Sequence, residues 1–205
     1  MKTAIRLITF MLTIGLMTSC TSKPVKTIEN LKAAYNGEST ASAKYAEYAA
    51  KALTENYDTV AVMFQAISNA EAVHAANHLK VLEKLGEKID GPKLGTFNVR
   101  STAENLIEAI KGEIYEFETM YPGFIATAEK EKCADAVKSF TWALDTEKKH
   151  QGFFKVAQAG LLSGGENGLP GHWFVCPVCG NTYSLETVVS KCDFCMTPKE
   201  KFIAF

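Results

Sequence analysis

Glu71-Ala72-Val73-His74 and Glu147-Lys148-Lys149-His150 are two copies of a Glu-x-x-His motif that lie 76 residues apart. Both occur where apolar residues recur every three or four positions, a spacing that predicts amphipathic helices. Residues three apart share one face of a helix, so each motif can direct a carboxylate and an imidazole towards the same point. One such pair is more often a solvated surface pair, but two pairs at a fixed offset favour a single shared site.

The sequence predicts four helical segments around these motifs. Ser101 and Glu104 form the pattern of a capping box at the start of the third segment, and Pro122 predicts a kink within it. The segments are 27–55, 58–85, 102–130 and 133–162. Short links within each pair and a longer crossover between the pairs predict an all-α four-helix bundle built from two antiparallel hairpins.

The two hairpins carry an internal repeat. Residues 29–38 and 104–113 are identical at six of ten positions, at an offset of 75, and they end in Glu38 and Glu113. A duplication of this kind predicts a bundle with approximate twofold symmetry. A group bound on the symmetry axis would therefore receive matching ligands from each half.

Carboxylates and imidazoles inside such a bundle predict a metal site. Glu113 and Glu116 repeat the three-residue spacing with two carboxylates, and Glu38 occupies the place equivalent to Glu113. Buried carboxylates without a cation would be costly to ionise, whereas five glutamates nearly balance two ferrous ions. Hard oxygen donors with two imidazoles suit non-haem iron or manganese better than copper or structural zinc.

Four cysteines near the C-terminus form a second predicted metal site. Cys176 and Cys179 make one Cys-x-x-Cys loop, and Cys192 and Cys195 make another after twelve residues. Two such loops predict a tetrahedral sulfur site, but their spacing does not distinguish a redox-active iron from a structural zinc. The glycine-rich stretch 163–171 reads as a linker between this site and the bundle.

The first residues predict an export signal rather than part of the fold. Lys2 and Arg6 precede a short apolar run, and small residues lead into Cys20. This pattern predicts a lipoprotein signal over 1–19, lipid on Cys20, a tether over 20–26, and a membrane-anchored protein on the periplasmic side or cell surface. An ordinary cleaved signal, or a mis-assigned start that leaves a cytoplasmic protein, is the alternative. The formal net charge of −1 gives no electrostatic support for a nucleic-acid partner.

Taken together, these motifs resemble the rubrerythrin family over essentially all of Thr27 to Phe205. The resemblance implies a ferritin-like di-iron bundle over 27–162, a linker over 163–171 and a rubredoxin-like iron domain over 172–205. It implies that Glu71 and Glu147 bridge two irons, with Glu38 and Glu113 as terminal ligands. His150 would bind one iron, while His74 and Glu116 would be the alternative ligands of the other.

The same resemblance implies a peroxide reductase of oxidative-stress defence. Hydrogen peroxide would be reduced to water at the di-iron site, with electrons relayed through the sulfur-bound iron from rubredoxin or an NAD(P)H-dependent reductase. A head-to-tail homodimer would bring the iron–sulfur site of one chain to the di-iron site of the other. Two alternatives remain at this point: a membrane-tethered iron-binding or storage protein without peroxidase turnover, and a structural zinc ribbon on a metal-poor bundle.

The sequence also supports predictions for residues that are not among the predicted metal ligands. Tyr45 and Tyr121 match tyrosines near the irons of the family, where they would bind the ligands and supply protons, although core packing would also explain them. His78 and His172 have no carboxylate at ligand spacing and are predicted to be ordinary side chains, and Cys133 a structural thiol. Met196 stands where free-standing rubredoxins more usually have glycine.

Overall fold

The structure is a computed structural model that describes residues 23–166 and 168–205 of the chain. The predicted signal over 1–19 and its lipid-bearing Cys20 lie outside the described residues. None of the described helices combines the length and the apolar character that crossing a membrane requires.

Five α-helices form the bundle in the described part of the chain. They are α1 (Val25–Thr54), α2 (Asp58–Lys84), α3 (Thr102–Tyr115), α4 (Tyr121–Lys130) and α5 (Ala134–Leu162). Helix α1 begins earlier than predicted, so the last two residues of the expected tether are already helical. The capping box is confirmed: the Ser101 side chain accepts the backbone N–H of Glu104, whose own side chain accepts the N–H of Ser101.

The third predicted segment is helical throughout but is not one α-helix. A π-helical turn, Glu116–Met120, connects α3 to α4. Pro122 lies in the first turn of α4, directly after this π turn, so the departure from α geometry lies beside the predicted proline kink. A π turn holds one residue more than an α-helix would. The repeat offset changes from 75 at Glu38 and Glu113 to 76 at Tyr45 and Tyr121, which places the extra residue between them.

Two apolar clusters fill the bundle, and the predicted ligands lie between them along each of the long helices. In α1, for example, Leu31 and Tyr35 belong to one cluster, Tyr45 belongs to the other, and Glu38 is buried between the two. In α5, Phe140 and Phe154 flank the buried Glu147 in the same way. The apolar side chains thus stabilise the bundle on both sides of the buried layer of predicted carboxylate and histidine ligands, which is called the metal layer below.

The C-terminal residues 172–205 form a small unit, here called the four-cysteine domain. Its antiparallel sheet has the order β2-β1-β3, with β1 (Trp173–Val175), β2 (Thr182–Ser184) and β3 (Ile203–Ala204), and a 3-10 turn lies at Lys199–Lys201. Trp173 and Val175 of β1 are buried in one apolar cluster of the bundle. The linker is also held, because the Glu166 carboxylate accepts the N–H of Val60 at 2.7 Å, in the first turn of α2.

Candidate metal centre

The buried carboxylates and histidines form two clusters of four ligands that share two members. Glu71 and Glu147 belong to both clusters. The first cluster adds Glu38 and His74, and the second adds Glu113 and His150; in each, the ligand atoms lie within 4.8 Å of one another. The geometry suits a pair of cations bridged by two carboxylates, with one further carboxylate and one imidazole for each cation.

Several donor atoms of these clusters lack a hydrogen-bond partner, which a bound cation would provide. All six residues are buried. Oxygen atoms of Glu38, Glu113 and Glu147 and the Nδ1 atom of His150 have no hydrogen-bond partner. Leaving such atoms unpaired in the interior is costly, and hard oxygen donors with imidazole fit iron, so the residues fit a di-iron centre.

In the absence of cations, the buried carboxylates and histidines of the two clusters shift one another's pKa values. Burial, together with neighbouring carboxylates, raises the pKa of Glu38 and of Glu113 well above the usual range. Burial lowers the pKa of His74, but Glu147 and Glu71 outweigh it and raise that pKa to about 9. The metal-free site therefore holds protons that cations must displace, which couples metal binding to pH.

Both histidines direct the same ring nitrogen towards the shared carboxylates. His74 Nδ1 lies 3.0 Å from both Glu71 and Glu147, and His150 Nδ1 lies 2.7 Å from Glu147. On the far side of its ring, His150 Nε2 lies 3.0 Å from the Thr182 hydroxyl of β2, which itself donates to the Gly180 carbonyl. The Thr182 oxygen thus accepts Nε2–H and leaves the Nδ1 lone pair free for a metal.

Glu116 stands apart from both clusters. It is the first residue of the π turn and is half-buried, whereas His74 occupies the first cluster. Burial and the charges of Glu147 and Glu71 raise the pKa of Glu116 well above its usual range. Of the two ligands predicted to exchange at one cation, this structure brings His74 to the cluster and leaves Glu116 outside it.

The two predicted tyrosines bind the unshared carboxylates of the opposite half. Tyr45 in α1 donates to Glu113 in α3 at 2.5 Å, and Tyr121 in α4 donates to Glu38 in α1. Burial raises the pKa of both phenols well above the usual value, so each remains a hydrogen-bond donor. The tyrosines thereby connect the repeated halves across the metal layer.

His78 is the residue that the sequence interpretation misses. The sequence predicts an ordinary side chain, but His78 is fully buried, with Nε2 3.2 Å from the Tyr121 hydroxyl and Nδ1 2.8 Å from the Ser139 hydroxyl. A search for carboxylates at ligand spacing cannot detect it, because its partners are hydroxyls on two other helices. Applying the 76-residue offset to it would have revealed a signal, since His78 then falls on an apolar residue, Phe154. His172 is exposed, as expected of an ordinary side chain.

The four cysteines converge in the four-cysteine domain. The sulfur atoms of Cys176 and Cys195 lie 3.4 Å apart, as do those of Cys179 and Cys192, and all four lie within 4.8 Å of one another. A tetrahedral metal with bonds of about 2.3 Å separates its sulfurs by about 3.8 Å. These separations fit a metal and are far longer than a disulfide bond. Cys133 caps α5, far along the chain from the other four, and packs half-buried beside an apolar cluster.

The four-cysteine domain lies directly on the metal layer of its own bundle. Gly180, which follows Cys179, is so close to His74 that a Cβ at this position would lie 2.3 Å from His74 Nε2. Asn77 of α2 donates to the Val178 carbonyl at 2.8 Å, and Lys149 of α5 donates to the Asn181 side chain at 2.7 Å. The contact is made here by the domain on the bundle of its own chain, whereas the family resemblance implied contact between the two chains of a head-to-tail homodimer.

Comparisons with known proteins agree with this architecture. Residues 29–158 match the family model described as Rubrerythrin. Rubrerythrin-2 of Clostridium acetobutylicum is 35% identical over 186 residues, covering 89% of this chain and 98% of that protein. Nigerythrin of Nitratidesulfovibrio vulgaris is 33% identical over 179 residues, covering 87% of this chain and 86% of that protein.

A solved structure carries the same fold. The fully reduced, all-ferrous state of nigerythrin superimposes with a TM-score of 0.78 at 32% identity, over 87% of this chain and 86% of that one. The fold is therefore a ferritin-like di-iron bundle with a small C-terminal domain that fits the rubredoxin-like type, and iron is the metal of the bundle site. From its sequence, its ligand layer and its fold, the chain belongs to the rubrerythrin family.

Proposed function

We propose that the protein reduces hydrogen peroxide to two water molecules and thereby contributes to defence against oxidative stress. Members of the rubrerythrin family are generally peroxide-reducing oxidoreductases. The observation that carries the proposal is the contact of the four-cysteine domain with both histidines of the metal layer, through Gly180 on His74 and Thr182 on His150. This contact gives a redox-active sulfur site a short path to a pair of irons.

The reaction consumes two electrons and two protons for each peroxide molecule. When bound, the irons supply the two electrons. The protein side chains hold the ions at a fixed separation through the shared Glu71 and Glu147, and the apolar clusters on either side exclude bulk water. Tyr45 and Tyr121 remain protonated, donate hydrogen bonds to Glu113 and Glu38, and can supply protons.

Electrons reach the layer through the four-cysteine domain in this proposal. Cys179 is joined by a single peptide bond to Gly180, which lies against His74. Val178 and Met196, beside Cys179 and Cys195, are exposed apolar side chains. A small donor such as rubredoxin, or an NAD(P)H-dependent reductase, could dock there, and the proposal requires iron rather than zinc among the four sulfurs.

The storage alternative is not favoured, because a storage protein has no use for a sulfur site held against its ligands. Metal analysis and the visible spectrum of anaerobically purified protein separate the two functions. The peroxidase proposal expects about three irons per chain and a red, dithionite-bleachable sulfur–iron chromophore. A colourless four-cysteine domain with zinc would contradict it.

The decisive experiment measures peroxide turnover with reduced rubredoxin as donor. Cys179→Ser with Cys195→Ser should abolish steady turnover, while the chemically reduced bundle still consumes peroxide once. Cys133→Ser is the matched control, because this thiol lies outside the sulfur site, and it should turn over like the unaltered protein. Unchanged turnover in the double variant would remove the electron relay from the account.

A further inference from the structure

The two repeat-related tyrosines, Tyr45 and Tyr121, have different neighbours. Tyr45 packs on Phe64 and Phe154, with ring centroids 5.9 and 5.3 Å away. At the 76-residue offset Tyr121 packs on Phe140 at 6.0 Å, but the place of Phe154 is taken by His78, also at 6.0 Å. The phenyl ring of Phe154 is therefore sufficient to pack against Tyr45. At the equivalent position beside Tyr121, the imidazole ring of His78 fills the same role and adds only polar atoms.

A second polar replacement lies beside the first. Ser139 occupies the position equivalent to Met63, which is fully buried in the other half. The Ser139 hydroxyl lies 2.8 Å from His78 Nδ1, and His78 Nε2 lies 3.2 Å from the Tyr121 hydroxyl. Tyr121 in turn donates to Glu38. One half of the repeat thus holds a continuous chain of hydrogen bonds where the other half holds methionine and phenylalanine.

The number of hydrogens available determines which group donates in each of these hydrogen bonds. A metal-bound Glu38 is a carboxylate that can only accept, so the Tyr121 hydrogen points towards it and the Tyr121 oxygen accepts from His78 Nε2–H. The His78 ring is fully buried and both of its hydrogen-bond partners are hydroxyls, so the ring is neutral and carries no second hydrogen. His78 Nδ1 must then accept the Ser139 hydroxyl hydrogen. All donors point from Ser139 towards the metal layer.

The outer end of the chain reaches the surface. Ser139 is 5% exposed and lines a cleft of about 150 Å³ together with Asn77, Lys84 and Asp135. Lys84 and Asp135 form an ion pair of 3.1 Å with exposed side chains. A polar cleft of this volume has room for water molecules that exchange protons with the Ser139 hydroxyl.

We propose that Ser139 and His78 conduct protons from this cleft to Tyr121. Water gives a proton to the Ser139 oxygen as the Ser139 hydrogen moves to His78 Nδ1. The hydrogen on His78 Nε2 moves to the Tyr121 oxygen, and the Tyr121 hydrogen passes to the metal layer. One proton enters and one leaves for each transfer, which leaves the ring hydrogen on Nδ1; tautomerisation, which returns that hydrogen to Nε2, restores the starting state. The proposal rests on the proposed function, which needs two protons for each peroxide molecule.

His78 and Ser139 act through Tyr121 and are positioning residues, so the first test does not depend on turnover. In the full chain loaded with zinc and labelled with ¹⁵N-histidine, His78 should carry its hydrogen on Nε2. After transfer to D₂O, exchange of that hydrogen should slow at least about tenfold in Ser139→Ala, and Ser139→Thr should recover it because the hydroxyl returns. A hydrogen on Nδ1, or unchanged exchange in Ser139→Ala, would overturn the proposal.

The matched control is Thr141→Val, which removes a hydroxyl from the same helix. Thr141 Oγ1 donates only to the Val137 carbonyl, outside the chain of hydrogen bonds, so this variant should exchange like the unaltered protein. Equal slowing in Ser139→Ala and Thr141→Val would mean that loss of any α5 hydroxyl has this effect, and would overturn the proposal as well.

The second test measures peroxide reduction by the chemically reduced iron protein in a single turnover. His78→Phe installs the residue found at the equivalent position, so metal content and melting temperature should hold while the rate falls at least about tenfold. Unchanged rates in both His78→Phe and Ser139→Ala would show that protons travel elsewhere. If the unaltered protein consumes no peroxide, the proposed function fails, whereas the zinc-protein exchange experiment still decides the proton path.

Discussion

At the scale of single residues, two positions that follow cysteines adopt the same backbone conformation with different side chains. Gly180 follows Cys179 with φ of 84°, and Met196 follows Cys195 with φ of 61°. Each N–H donates to a cysteine carbonyl at 2.9 Å, from Gly180 to Cys176 and from Met196 to Cys192. This left-handed region favours glycine, so Met196 keeps the hydrogen bond at a conformational cost.

Gly180 is required for the approach of the four-cysteine domain to His74. In Gly180→Ala the new Cβ would meet His74 Nε2 at 2.3 Å and the Ala70 carbonyl oxygen at 3.1 Å, so the domain must move away. We expect donor-linked peroxide turnover to fall at least about tenfold, because a displacement of about 1 Å is enough to impair a reaction path. The sulfur–iron spectrum should not change.

Gly171→Ala is the control for that substitution, because a Cβ there has nothing within 4 Å. It should leave turnover unaltered. Normal turnover in Gly180→Ala would mean that the contact with His74 is not used.

Met196→Gly should stabilise the four-cysteine domain by up to about 1 kcal/mol, since relief of the left-handed conformation outweighs the added freedom of the unfolded chain. The Met196 side chain is 65% exposed, so little packing is lost. Urea unfolding followed at the sulfur–metal absorbance measures the change. Val178→Gly, at an exposed position without positive φ, should be neutral or destabilising, and an equal gain there would contradict the argument.

At the scale of elements, the π turn accounts for a difference between the two halves of the repeat. Glu38 and Tyr45 are seven residues apart in α1, whereas Glu113 and Tyr121 are eight apart across Glu116–Met120. The additional residue is accommodated by the wider turn, so that both tyrosines still reach a carboxylate. The change in repeat offset was visible in the sequence, but it did not indicate that the insertion would be helical.

Deletion of the exposed Thr119 should therefore be tolerated, because it restores the seven-residue spacing found in α1. The shortened protein should unfold cooperatively and bind two metals in the bundle. Deletion of Ala43 is the matched control: it rotates Tyr45 by about 100° relative to Glu38 and turns core residues outward. That variant should lose several kcal/mol. Circular dichroism melting distinguishes the two, and collapse of both would argue against an inserted residue.

At the scale of the whole molecule, the metals determine how stability depends on pH. In the metal-free protein the pKa of His74 is raised from 6.5 to about 9, and those of Glu38 and Glu113 are raised as well. The folded state then binds more protons than the unfolded state above pH 6.5, so stability is lost as pH rises. His78, with its lowered pKa of about 3, acts in the opposite sense only below pH 6.5.

We therefore expect the metal-free protein to melt at progressively lower temperature between pH 6.5 and pH 9. The iron-loaded protein should change little over this range, because cations replace the protons on the ligands. Calorimetry of both forms across the range is the measurement. A metal-free protein that becomes more stable towards pH 9 would contradict the assigned shifts.

The contact between the two metal sites is made within one chain, whereas the family resemblance implied a head-to-tail homodimer. Co-expression of Cys179→Ser chains with Glu71→Ala chains separates these arrangements. Neither chain alone has both sites. If the contact is internal, the mixture should remain inactive in donor-linked turnover. Recovery of a substantial fraction of the activity would show that the four-cysteine domain of one chain serves the bundle of another.

The sequence by itself determined what can be read from local periodicity: the helical segments, the capping box at Ser101, the two Glu-x-x-His motifs and the paired Cys-x-x-Cys loops. Helix geometry fixes which residues share a face, so spacing alone predicted that Glu71 and His74 could act together. Only the tertiary structure joined His78 to Ser139 and Gly180 to His74. These partners are 61 and 106 residues apart in the chain. Their contacts depend on how complete helices and the four-cysteine domain pack, which no local pattern encodes.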